Sequence, residues 1–166
     1  MSDKEPTIPG AQSVRLNLAG TAVFLIALAV AIPFRNHRFA QFLIAGVSMA
    51  LFAIGVATTL WAYTRALDRS RVEEVGVANL YLLTGDTAPK PVRRTMSLAL
   101  TVQIIAALAG AWIGVAGLEE GQLNALAFGV LVPMFGVGMN GVWAASHGSY
   151  GPRVGKVVSP TDHEID

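Results

Sequence analysis

The chain has 166 residues, of which 53% are hydrophobic and 14% charged, and its formal net charge is +1. Ordinary soluble domains carry about 25% charged residues, and they place them on one face of every helix. Here Asp, Glu, Lys and Arg are missing from four long stretches and crowd into the gaps, which excludes a soluble helical protein, and the absence of Cys excludes disulfides, thiolate catalysis and cysteine metal sites.

Residues 1–15 mix Pro, Gly, Ser and charges without period and read as a disordered tail. The first apolar run, 16–34, is long enough to cross a hydrocarbon core, which takes about 20 residues. Ala29-Val30-Ala31 looks like a signal-peptide cleavage site, but hydrophobicity continues past it to Phe34. The second run, 39–63, follows after only Arg35-Asn36-His37-Arg38, so the two form an antiparallel hairpin. The third, 95–118, and the fourth, 122–146, are joined by Glu119-Glu120-Gly121. Trp61, Tyr63 and Trp143 lie near run ends, where amphipathic rings favour the membrane interface.

Between the second and third runs lies a polar loop, 64–94, and the chain closes with a polar tail, 147–166. Helical projection of Val72 to Leu83 gathers Val72, Val75, Leu80, Leu82 and Leu83 on one arc. That pattern predicts a short amphipathic helix, lying at headgroup level or packed on the bundle or a partner. Gly85-Asp86 and Pro89-Lys90-Pro91 are expected to stop it and return the chain to the bilayer. The resulting architecture is all-α: a four-helix antiparallel transmembrane bundle with an interfacial helix between the second and third spans. Lys and Arg number two, six and two in the N-terminal tail, central loop and C-terminal tail, against two in the first hairpin and none in the second. By the positive-inside rule both termini and the central loop belong in the cytoplasm, with the chain in the plasma (inner) membrane.

Chemistry is sparse. No ionisable carboxylate or amine falls inside a span, which argues against proton-coupled or ion-coupled transport. Gln103 and Asn140 are the strongest polar groups at depth and read first as interhelical hydrogen-bonding residues, second as ligand contacts. His37 and His147 fall at opposite ends of the spans, so they cannot share a haem or zinc, and no cofactor or metal is expected. Glu73, Glu74 and Asp86 sit among Arg65, Arg69, Arg71, Arg93 and Arg94, where charge pairing accounts for them. No HExxH, P-loop or GxSxG pattern is present, so an enzyme is not expected. Small residues recur at four-residue spacing: Ala106, Gly110 and Gly114; Gly141 and Ala145; Gly46 and Ala50. Such faces let helix backbones approach closely, within one copy or between copies. Pro133 should kink the fourth helix.

The segment LAFGVLVPMFGVGMNGVWAASHGSYGPR, 126–153, with its H-G-x-x-x-P-R tail at His147 to Arg153, resembles the ending of small four-helix membrane proteins of actinobacteria, and the stretch RSRVEEVGVANLYLLTGDTAP resembles their arginine- and glutamate-containing central loop. That resemblance implies a membrane protein and brings no chemistry with it. An Arg to Lys ratio of nine to three, with abundant Ala, Gly and Val, agrees with a GC-rich bacterial source. The leading functional expectation is a non-enzymatic protein that associates with lipid or another membrane protein, or with its own copies, through Arg93, Arg94, His147 and Arg153. A small passive channel or carrier comes next, and an enzyme of lipid or envelope metabolism third. Nucleic acid is not an expected partner.

Overall fold

The computed structural model describes residues 10–116 and 124–152. It is all-helical: α1 (Ala11–Ala31), α2 (Arg38–Arg69), the short α3 (Val77–Leu82), α4 (Lys90–Val115), then a 3-10 segment (Ala125–Leu131) that leads into α5 (Pro133–His147). Four of these stretches are long and apolar enough to cross a membrane, the fourth running through the 3-10 segment and α5 together. The expected bundle with a short helix between its second and third spans is therefore present. Outside the helices, the described residues hold one isolated bridge, between Glu73 and Pro152.

The helices extend beyond the apolar runs wherever no breaker intervenes. Helix α1 starts at Ala11, after the left-handed Gly10, because residues 11–15 contain neither Gly nor Pro. It ends at Ala31, two residues before Pro33, which has no N–H to continue the helical ladder. Helix α2 continues past Tyr63 to Arg69. At 1.5 Å per residue it spans roughly 48 Å, more than the hydrocarbon core, so its last turns stand clear of it. There the Arg65 guanidinium lies over the Trp61 ring, 5.5 Å from its centre. Helix α4 begins at Lys90, with Pro91 in its first turn, where a missing N–H costs nothing. The prolines expected to return the chain to the bilayer thus start the helix of the third span.

Pro133 divides the fourth span into a 3-10 segment and an α-helix. It has no N–H to give to the carbonyl of Gly129, and the Val132 amide takes that oxygen at 3.0 Å in the tighter i to i−3 pattern. The chain before Pro133 is accordingly 3-10, and the chain after it is α. Asn124 closes the free end: its side chain accepts from the Ala127 amide at 3.2 Å and donates to the carbonyl of Ala111 at 3.0 Å.

The fourth span packs against α1, α2 and α4, while α2 and α4 occupy opposite corners. Half of its apolar window is buried (50%), against 22% for α2, which is the most outward-facing helix. Large interior side chains sit in notches left by glycine: Phe135 against Gly20, Phe24 against Gly129, Leu28 against Gly110. The tightest crossing joins α2 to α5, where a Cβ on Gly55 would lie 2.5 Å from the backbone of Met134 and Phe135. Of the expected small-residue faces, Gly110, Gly114 and Gly141 meet neighbours within the bundle, whereas Gly46 faces open space. The outer surface is apolar, with Phe39, Phe42, Leu60, Ile105, Leu108 and Trp112 all exposed. An apolar exterior of this extent on a helical bundle is a surface made for lipid.

Candidate functional site

Gly10, the 70–89 connection and residues 148–152 gather at one end of the bundle, and Arg69 organises that end. Its Nη1 donates to the carbonyls of Ala144 and Ala145 at 3.4 and 3.2 Å, and its Nη2 to that of Gly148 at 2.9 Å. Those oxygens lie at the C-terminal end of α5, where the Ala144 carbonyl also accepts from the Gly148 amide at 2.8 Å, so a cation there meets the negative end of the helix dipole. Nε and Nη2 both reach Glu73 Oε2 at 2.8 Å. The guanidinium also lies 4.7 Å from the centre of the Tyr150 ring, and Tyr150 donates its hydroxyl to the Ala144 carbonyl at 3.2 Å. Backbone bonds complete the closure: Glu74 N–H to Gly151 O at 2.9 Å and Ser149 N–H to Thr87 O at 3.1 Å. Charge pairing of Glu73 with a loop arginine is thus realised by Arg69.

Helix α3 is shorter than the expected Val72 to Leu83 helix, because residues 70–76 form turns and extended chain. It packs on α5, with Leu80 and Leu83 buried. Leu83 closes it with a left-handed φ of 54°, a conformation its complete burial holds in place. Tyr81 donates to the Thr59 carbonyl at 3.1 Å, while its own carbonyl accepts from Asn140 Nδ2 at 3.0 Å. Burial, and then the charge of Tyr63, push the Tyr81 hydroxyl up; burial foremost also raises that of Tyr150, against a lowering by Arg69. The outward side of this region exposes Leu67, Val72, Val77 and Leu82.

Of the four residues expected to carry association, three are described. Arg93 donates to the carbonyl of Gly85 at 2.5 Å and so steadies the loop turn. Arg94 is exposed on the same turn of α4. His147 is the last residue of α5 and stacks on Trp143, ring centres 5.8 Å apart. Arg153 lies outside the described residues, as do Glu119, Glu120 and most of the C-terminal tail.

Within the bundle Gln103 is fully buried, and its Nε2 donates to Thr21 Oγ1 at 2.7 Å and to Asn17 Oδ1 at 3.3 Å. Thr21 in turn donates to the carbonyl of Asn17 at 2.8 Å. Asn17 and Thr21 were readable as an i, i+4 polar pair in an otherwise apolar run, but position near the start of the run disguised them. Asn17 Nδ2 and Gln103 Oε1 are both left without a partner, a complementary donor and acceptor in one buried cluster. Asn140, at 1% exposure, ties α5 to α3 and likewise keeps a free Oδ1.

His37 precedes α2 in the hairpin, whereas His147 lies at the Gly10 end of α1. The 21 residues of α1 separate these ends by roughly 30 Å. Among the described residues no three His, Asp or Glu side chains gather where a metal ion would be held. No family model, curated protein or solved structure matches the chain.

Proposed function

We propose that this multi-pass membrane protein acts without catalysis, by associating with a membrane protein or anionic lipid at the end organised by Arg69. The observation that carries the reading is the pairing of exposed Val72, Val77 and Leu82 with Arg65, Arg71 and Arg94 around a closed platform. Apolar side chains insert among headgroups or into a partner's surface while arginines meet phosphates or carboxylates. The charge count of ten to two supports the reading that this end, with both termini, faces the cytoplasm across the plasma membrane. Passage of solute through a single copy is disfavoured by the interior, where Phe24, Phe135, Met139 and Gln103 are buried among closely packed helices.

Replacing Arg93, Arg94 and Arg153 with Gln tests the reading. The triple variant should insert and fold while releasing co-purifying protein or anionic lipid, measured by pull-down and mass spectrometry of bound lipid. Undiminished binding rejects this end as the working surface. Solute flux through liposomes holding the wild type would favour the channel reading instead.

A further inference from the structure

We propose that the α1–α2 hairpin, at the other end of the bundle, holds one acidic phospholipid, its acyl chain in an apolar groove and its phosphate between Arg35 and Arg38. The groove has a volume of about 390 Å³ and is lined by Val30, Phe34, His37, Phe39 and Ala40. It opens where α1 gives way to Pro33 and α2 has just begun. Phe34 and Phe39 are 54% and 75% exposed and form standing walls, while Ala40 at 1% keeps the floor low. These walls are held in place. His37 meets Phe34 edge-on, ring centres 5.9 Å apart, and the His37 amide donates to the Phe34 carbonyl at 2.8 Å. Gln41 Nε2 donates to the Arg35 carbonyl at 3.0 Å, fixing the loop onto the first turn of α2.

Among the described residues the charge beside the groove is one-signed. Arg35 and Arg38 are exposed, and neither side chain has a partner among the described residues. No Asp or Glu occurs between Glu5 and Asp68. A site with an apolar trough at one side and two unpaired guanidinium groups at its rim complements an amphiphile with a negative head. The trough is continuous with the lipid-facing surface of α2, where Phe42 is 73% exposed, so the occupant comes from the surrounding leaflet. Arg suits this role because its planar fork binds phosphate oxygens in pairs. The inference does not rest on the function proposed for the opposite end.

The test uses the full chain in neutral detergent, titrated with phosphatidylglycerol or with phosphatidylcholine of the same acyl chains, bound lipids being counted by native mass spectrometry. One phosphatidylglycerol should bind roughly tenfold or more tightly than phosphatidylcholine, as expected for two arginines at a headgroup. Arg35→Gln with Arg38→Gln should bring it to the phosphatidylcholine level, and Phe39→Ala should weaken both lipids. Running the hairpin variants also in an Arg93→Gln/Arg94→Gln background keeps the two ends distinct, since one bound lipid should still be lost. Equal affinity for the two headgroups in the wild type, or a phosphatidylglycerol that survives loss of both arginines, overturns the proposal. Either result would mean ordinary annular lipid.

Discussion

Arg69 reaches carbonyl oxygens 75 to 79 residues further along the chain, and its reach explains why a polar connection and a C-terminal segment become one surface. Hydrogen bonds to a charged group are worth about 1.5–3 kcal/mol when buried, and partial exposure lowers that. Arg69→Gln should therefore cost about 2 kcal/mol. Its sharper sign is local: amide exchange at Glu74 and Ser149 should accelerate at least tenfold while amides of the α1 core stay protected. Tyr150 offers a pH test. Its folded-state pKa lies above the ordinary tyrosine value of 10.0. A raised value means that the stabilisation is fully present below the ordinary pKa and disappears as pH rises through the folded one. Wild-type melting temperature should hold through neutral pH and fall only in strong alkali, and Tyr150→Phe should remove part of that fall. In the bundle interior, Gln103→Leu strands Asn17 Oδ1 and leaves Thr21 only its bond to the Asn17 carbonyl. Membrane hydrogen bonds average about 0.6 kcal/mol, so losing two should cost roughly 1–2 kcal/mol, read by thermal melting in detergent.

Helices meet most closely where Gly55 of α2 and Gly138 of α5 face each other, a Cβ on Gly138 falling 2.6 Å from the Gly55 carbonyl oxygen. Backbone cannot step aside as a side chain can. Gly55→Leu should therefore abolish stable folding, whereas Gly110→Leu, which meets first the end of Leu28, should leave a folded but weakened protein. A Cβ on Gly46 meets nothing within 4 Å, so Gly46→Leu should leave the monomer's stability nearly unchanged. The same packing shows where sequence reasoning reached and where it stopped. Four spans were legible because charge-free windows of sufficient length have few alternatives in water. Their limits were less so: Thr64 to Arg69 and residues 11–15 are polar yet contain no breaker, and polarity does not end a helix. Small-residue spacing pointed correctly to the third and fourth spans, but Gly55 and Gly138 belong to no four-residue repeat with another glycine. Only a three-dimensional crossing pairs them. The 3-10 form of the chain before Pro133 was equally hidden, since it depends on which neighbour takes the carbonyl of Gly129.

Seen as a whole, the molecule has two unlike ends. One gathers Gly10, the 70–89 connection and residues 148–152 under the Arg69 closure; the other holds the compact 32–37 hairpin. In sequence, the two tails and the central loop carry ten Lys and Arg against two in the hairpin connections, which predicts the orientation because Lys and Arg near span ends resist translocation. The protein has no native Cys, so single introduced cysteines report cleanly. Asp86 and Asn36 are suitable because both are exposed, whereas Ala88, in the same loop as Asp86, is buried at 7%. Neither Asp86 nor Asn36 makes a side-chain hydrogen bond or ion pair among the described residues, so replacement should not disturb the fold. An impermeant maleimide applied to intact cells should label Asn36→Cys and spare Asp86→Cys, and permeabilisation should expose the second. The reverse pattern would invert the molecule. The Arg69 platform and its exposed Val72, Val77 and Leu82 would then face away from the cytoplasm, and the cytoplasmic leaflet, rich in acidic lipid, would meet the arginines of the hairpin.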